Sequence, residues 1–371
     1  MTTKPIGLYV HVPFCVRKCA YCDFCSYPES GVSVASREEY ISALAEEIRG
    51  YKRAERIALD TVFFGGGTPS LLSHAEMRKI FSAIADTFDV LPNAEITLEA
   101  NPGTLTEEKL RAYKSLGVNR ISIGLQSIHE NELKNLGRIH SCTEFFESFK
   151  MARASGFENI SVDLMYGIPE QTLDSFGKTL DAVIALSPEH VSAYGLIIEE
   201  GTPFFNCRES LPLPTEDNEC DMYELAVAKL RAAGYSHYEI SNYAKTGRAS
   251  RHNLHYWRRE EYVGVGVAAH SFFDGKRYSN PASLDAYLSG DRRHVDTETD
   301  ASFERAMLAF RLAEGLSLSD YEKEFSHSFL DGREDAIERF VALGFIKREG
   351  DRLALTDSGM YVSNAILAEL L

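Results

Sequence analysis

A chain of 371 residues exceeds one small module and suits a barrel-sized domain with a smaller companion. With 44% apolar and 25% charged residues its composition is that of an ordinary globular protein, which excludes a disordered or fibrous one. A net charge of −16 excludes a surface built to neutralise phosphates, so nucleic acid is not an expected partner, and seven cysteines, three of them crowded together, fit a reducing cytoplasmic compartment better than a disulfide framework.

The first element, IGLYVHV at 6–12, reads as a strand. His11 and Pro13 interrupt the apolar opening and Arg17 and Lys18 follow it, which argues against a signal peptide. After the cysteine-rich stretch, REEYISALAEEIRGY at 37–51 has Tyr40, Ile41, Leu44, Ile48 and Tyr51 at helical spacing. Further strands are expected at 59–64, 95–100, 119–125, 159–167 and 190–198, each followed by a helical stretch. Six such units imply an α/β fold with a parallel sheet, closed as a partial (β/α)6 barrel over residues 1–235; a doubly wound open sheet is the alternative.

A helix near 216–233 ends this pattern, and residues 236–300 read as a connecting segment of loop and short strand. From 301 to 371 the order helix, helix, hairpin, helix predicts a winged-helix-like domain, which the acidic charge makes a packing or lid unit. The longest apolar run, YVGVGVAAHSFF at 262–273, falls short of the roughly 18–20 residues that span a bilayer, so membrane contact is expected to be peripheral at most.

Cys15, Cys19 and Cys22 in CVRKCAYC have the spacing Cx3Cx2C, short enough for one loop to turn three thiolates onto one centre. A structural zinc favours four ligands in two separated pairs, and recruiting Cys25 would crowd four into eleven residues. An iron–sulfur cubane fits better, because three thiolates leave one iron without a protein ligand. Other strand ends carry FFGGGTPS at 63–70, Glu99 in LEANPG, Gln126 in SIGLQS and Asp163 in SVDLMYGIP, where ligand contacts of a barrel collect.

In this position Cx3Cx2C resembles the motif of the radical S-adenosylmethionine (SAM) proteins. That resemblance implies a 4Fe-4S cluster on Cys15, Cys19 and Cys22, with SAM on the uncovered iron and cleaved by the reduced cluster to a 5′-deoxyadenosyl radical. Gly66, Gly67 and Thr68 match the glycine motif that meets the SAM amino group. Glu99, Gln126, Arg138 and Asp163 match SAM-contacting positions, and Tyr9 and Tyr21 the aromatic SAM neighbours, of the coproporphyrinogen dehydrogenase branch.

The resemblance covers nearly the whole chain and points to the HemN/HemW family, which has a dehydrogenase branch and a heme-binding branch. Where the dehydrogenases have a further cysteine, two residues past the third, this chain has Phe24, and Cys25 does not restore the pattern. The dehydrogenases also have a sizeable extension before the motif, and HNLHYW at 252–257 is similar to the HNxxYW motif of the heme-binding branch. His252 offers an imidazole to heme iron or a propionate, and Tyr256 and Trp257 offer flat apolar surface. His255, His270, Cys142, Cys207 and Cys220 are further candidate ligands, and His11 is read as support for the cluster.

The resemblance therefore implies a cytoplasmic heme chaperone with a SAM site, delivering heme to acceptor proteins such as membrane respiratory enzymes; no catalytic residue is assigned. The alternative is oxidative decarboxylation of coproporphyrinogen III, with Arg248, Arg251, Arg258 and Arg259 as candidate propionate partners.

Overall fold

In the computed structural model, which describes residues 4–296 and 300–371, six strands lie parallel in sequence order. They are β1 (Ile6–Val12), β2 (Ala58–Gly66), β3 (Asp89–Ala100), β4 (Arg120–Gln126), β5 (Ile160–Tyr166) and β6 (His190–Gly195). Helices α1 (Val34–Arg49), α2 (His74–Thr87), α3 (Glu107–Ser115), α4 (Cys142–Ala154), α5 (Leu173–Leu186) and α6 (Glu216–Ala232) follow them in turn. The helices start at local signals. Ser73 with Glu76 and Ser141 with Glu144 form capping boxes, each satisfying amides that a helix leaves unpaired.

Each strand separates two chemistries by its period of two. Leu8, Val10 and Val12 of β1, Val62 and Phe64 of β2, and Ile121, Ile123 and Leu125 of β4 join Tyr40, Leu44 and Ile80 of the helices in one buried core. The alternate positions carry polar groups: Tyr9 and His11, Thr61, Glu95 and Glu99, Arg120 and Ser122, Ser161 and Asp163, His190 and Ser192. These side chains meet inside the barrel, where Asp163 of β5 accepts hydrogen bonds from Ser122 of β4 and Ser192 of β6.

In residues 236–296, read as a connecting segment of loop and short strand, the short strands join the main sheet at both of its edges. β7 (Ser236–Glu239) and β8 (Asn242–Ala244) continue it antiparallel beyond β6. β9 (Tyr262–Val265) pairs parallel with β1, opposing Tyr262 to Gly7, and β10 (His270–Phe273), β11 (Lys276–Ser279) and β12 (His294–Val295) follow antiparallel. Strands of two to four residues hold too few periods to announce themselves in a sequence. Between β8 and β9 the HNLHYW stretch forms a helix, α7 (Arg251–Trp257), with Ser250 as its N-cap.

The C-terminal unit has the expected hairpin but one helix more ahead of it than the sequence implies, Leu318–Phe325. Helices Ala301–Ala309, Leu318–Phe325 and Glu334–Ala342 precede a hairpin of Ile346–Glu349 and Arg352–Leu355, turned at Gly350 and Asp351. It docks on the barrel through Asp357, which pairs with Arg231 at 2.7 Å and His237 at 3.0 Å. These partners hold the Asp357 carboxyl down at about 2, the His237 hydrogen bond contributing most.

Candidate functional site

The cysteine loop leaves β1 through Pro13 and is pinched at its base by a parallel bridge between Phe14–Cys15 and Tyr27–Pro28. Midway, the Ala20 amide donates to the Leu136 carbonyl at 3.0 Å and the Ala20 carbonyl accepts from the Phe204 amide at 3.1 Å. So held, Cys15, Cys19 and Cys22 border one cavity of about 280 Å³ at the C-terminal ends of the strands. Thr68 donates to the Cys15 sulfur at 3.4 Å and Arg138 to the Cys19 sulfur at 3.7 Å, as donors to thiolates would. Burial pushes the Cys15 and Cys22 thiols up, a cost that metal ligation removes. Cys25 does not border the cavity. Its sulfur turns to the Ala282 carbonyl at 3.3 Å.

The glycine turn after β2 forms the second wall. Gly66 has φ +112, and a Cβ there would lie 2.5 Å from the His11 ring; one on Gly67 would lie 2.7 Å from the Phe14 carbonyl oxygen. These glycines let the turn press on β1 and the cysteine loop, rather than leaving their space to a ligand. The Gly66 amide is also engaged, donating to Glu99 at 3.1 Å.

The third wall is charged. Glu99 is raised to about 8, by burial first and by neighbouring Asp163 second. Asp163 is also raised by burial, despite its bonds to Ser192 at 2.8 Å and Ser122 at 3.0 Å. Arg138 stays cationic against its own burial, because Tyr21 and Cys19 lie beside it, and it spends two donors on Asn101 at 2.9 Å and the Gly124 carbonyl at 2.7 Å. Two half-buried carboxyls raised in this way face an electrostatic deficit that a cation in the cavity would relieve. SAM carries a sulfonium and an amino group, so the donor set fits it.

Of the expected site residues, Tyr21, Gly66, Gly67, Thr68, Glu99, Gln126, Arg138 and Asp163 border the cavity with the three cysteines. Tyr9 does not. Its ring lies deeper, 6.2 Å from Phe63 and 6.4 Å from His252, with its hydroxyl on His11. Ser122, Asn101, Met165, Tyr194, Arg17 and Lys18 also border the cavity and were not singled out from the sequence. For Ser122 and the neighbouring Ser192, the alternation of polar with apolar residues along the strands was the available signal.

HNLHYW lies elsewhere. His252 is 1% exposed, with Nδ1 on the Thr61 hydroxyl at 2.8 Å and Nε2 on the Tyr256 hydroxyl at 2.7 Å. Thr61 precedes Gly66 by five strand residues, so the motif lies below the cavity, toward the N-terminal ends of the strands. The expected heme contact at His252 would need the ring to be released, since both ring nitrogens are occupied and the ring is enclosed. His255 is buried between Asp60 at 2.8 Å and Glu260 at 3.2 Å; burial opposes its charge, but these carboxylates raise it to about 9. Trp257 lies under the Arg311 guanidinium.

The arginines weighed for coproporphyrinogen are at that same end. Arg251 pairs with Asp60, Arg258 with Glu314 and Arg259 with Glu304, while Arg248 flanks Arg251; none borders the cysteine cavity. His270 is exposed on β10, and Cys142, Cys207 and Cys220 are likewise away from the cavity.

Comparison with known proteins now bears on this geometry. Residues 9–183 match the family model of the radical SAM superfamily, and residues 296–362 match that of the HemN C-terminal domain. The chain is 36% identical to the heme chaperone HemW of Bacillus subtilis over 98% of both chains. It is also 36% identical to the heme chaperone HemW of Escherichia coli, over 98% of this chain and 97% of that one. Among solved structures, the coproporphyrinogen III oxidase HemN of Escherichia coli superposes with a TM-score of 0.84, at 21% identity over 100% of this chain and 91% of that chain. At that identity the likeness concerns the fold.

Proposed function

The chain belongs to the HemW family of radical SAM proteins, and from that premise we propose that it carries a 4Fe-4S cluster, binds SAM and holds heme for delivery to acceptor proteins. The observation that carries this reading is one cavity walled by three cysteines on one side and two under-compensated carboxyls on the other. Cys15, Cys19 and Cys22 would hold the cluster, with Thr68 and Arg138 donating to the first two of those sulfurs. Glu99 and Asp163 meet the positive charge of SAM, and Gln126 and Tyr21 complete the walls. When bound and reduced, the cluster supplies the electron for breaking a carbon–sulfur bond of SAM.

Support for a heme cargo comes from the cavity mouth. Phe24, 69% exposed, and the exposed Tyr194 border this cavity, and the exposed Val16 and Ile139 border a small adjoining one that shares Arg17, Cys19, Asn101 and Arg138 with it. Single exposed apolar residues are ordinary, but several around one opening are a recognition surface. Arg17 and Lys18 stand among them with no carboxylate partner among the described residues. An apolar ring with two cations suits a flat apolar macrocycle that carries two carboxylates. Phe24 fills the place of the dehydrogenases' extra cysteine, and Arg248, Arg251, Arg258 and Arg259 do not border the cavity.

The reading is of a cytoplasmic carrier, with respiratory membrane enzymes among its acceptors and contact with the membrane peripheral. Among the described residues no helix is long and apolar enough to cross a membrane. The test uses anaerobically reconstituted protein with SAM and reductant, offered heme in one vessel and coproporphyrinogen III in another. Stoichiometric heme binding without decarboxylated product is the expected result. Multiple-turnover decarboxylation would overturn it.

A further inference from the structure

His11 touches both walls of the cavity from below. Its Nε2 lies 2.8 Å from the Cys25 carbonyl, which can only accept, so Nε2 carries the proton. Nδ1 then accepts from the Tyr9 hydroxyl at 3.0 Å. Burial lowers the His11 pKa, in keeping with a neutral ring that donates on one side and accepts on the other. The same imidazole occupies the space that a side chain at Gly66 would need. One ring therefore sets the end of the cysteine loop and the floor of the glycine turn.

Tyr9 is itself fixed from the far end of the barrel. It lies against Phe63, and Phe63 stacks on His252 with ring centres 5.2 Å apart and planes at 25°. His252 is tied to Thr61 of β2 and Tyr256 of α7. A continuous column of rings runs from the HNLHYW helix to the loop that bears the three cysteines.

We propose that His11 is a positioning residue for the cysteine loop, and that Tyr9, Phe63 and His252 hold it, coupling helix α7 mechanically to the cofactor site. The inference rests on the cluster reading above. It assigns HNLHYW an action on the opposite end of the barrel that needs no direct contact with a ligand. It also means that a change in heme binding on altering His252 does not by itself identify a heme ligand.

The test compares wild type with His11→Ala, His11→Gln, Tyr9→Phe and His252→Ala after anaerobic reconstitution. Iron and sulfide content, the electron paramagnetic resonance spectrum of the reduced cluster with and without SAM, and SAM affinity are measured. His11→Ala is expected to assemble a cluster but to bind SAM about tenfold more weakly with an altered spectrum, the scale of one lost buried hydrogen bond. His11→Gln restores a donor to the Cys25 carbonyl and should stay near wild type. Tyr9→Phe and His252→Ala should shift SAM affinity the same way by about threefold.

Wild-type spectra and SAM affinity in His252→Ala would overturn the coupling, and the same result in His11→Ala would overturn the positioning role. Failure of the wild type to assemble a cluster would instead overturn the cluster reading. Should His11→Ala not fold, as judged by circular dichroism, Tyr9→Phe decides, since it removes one hydroxyl and keeps the ring.

Discussion

At the C-terminal ends of the parallel strands, Glu99 and Asp163 are half-buried with their charges only partly answered, and the nearby Arg138 shares its donors with two neutral oxygens and a cysteine sulfur. Toward the N-terminal ends, Asp60 and Glu260 flank His255, and Arg251, Arg258 and Arg259 each have a carboxylate. The chemistry of the residue types does not separate these ends, since HNLHYW is as rich in ligand-like side chains as the cysteine loop. The cavity does: the charged groups of the barrel floor are mostly paired, although the Trp257 indole N–H is buried without a partner and Glu95 is also raised by burial, whereas Glu99 and Asp163 face open space where a ligand belongs.

The largest break in that contrast is expected from Cys19→Ala. Removing one of three thiolates should abolish the cluster absorption after reconstitution, and with it SAM cleavage. A full cluster spectrum in that variant would mean that the incomplete end is not the cofactor end.

Next comes Asp60→Asn, which leaves the buried His255 with one carboxylate fewer and should cost about 3 kcal/mol in urea unfolding at pH 6. The pH dependence is specific. Because the folded His255 pKa, about 9, exceeds its unfolded value, the contribution is complete below about pH 6.5 and lost as pH rises through 9. The gap between the two proteins should therefore narrow from pH 6.5 to 9, and a constant gap would show that His255 is not held charged.

Glu99→Gln should act with the opposite sign. The folded protein keeps a proton on Glu99 that the unfolded chain releases, so wild-type stability without SAM declines as pH rises from about 4.5 to 8. The variant lacks that decline and should be the more stable of the two at pH 9 while matching wild type near pH 4. Parallel stability profiles would remove the electrostatic deficit from the account. The smallest effect belongs to Arg258→Ala, whose ion pair with Glu314 is well exposed and should be worth under about 1 kcal/mol, less in high salt.

What could be read from the sequence follows the distance over which each feature is determined. Cys15, Cys19 and Cys22 are legible because their spacing is local, and Glu99 and Asp163 because strand ends can be found from the strands themselves. The parallel barrel was legible from six strand-then-helix units, and the C-terminal hairpin from its Gly-Asp turn. The place of His252 was not. It depends on Thr61, 191 residues away, and α7 is only seven residues long, too short for a helical period to show which side is enclosed. Tyr9 illustrates a finer limit: alternation turns it inward with His11, but only the structure shows that its hydroxyl goes to His11 and its ring lies below the cavity.

The pairing of β1 with β9 bears on the order of events during synthesis. The strand that leads into the cysteine loop acquires its second neighbour only when Tyr262 to Val265 emerge, about 250 residues after β1 itself. At ribosomal rates that is an interval of ~10–50 s in which one edge of β1 stands open, an edge that other chains could pair with. Helix α7, which supports Tyr9 through His252, emerges in the same late stretch. Iron and sulfide offered before then would meet a cysteine loop without its floor, so assembly of the proposed cluster would have to follow translation of the barrel's last strands.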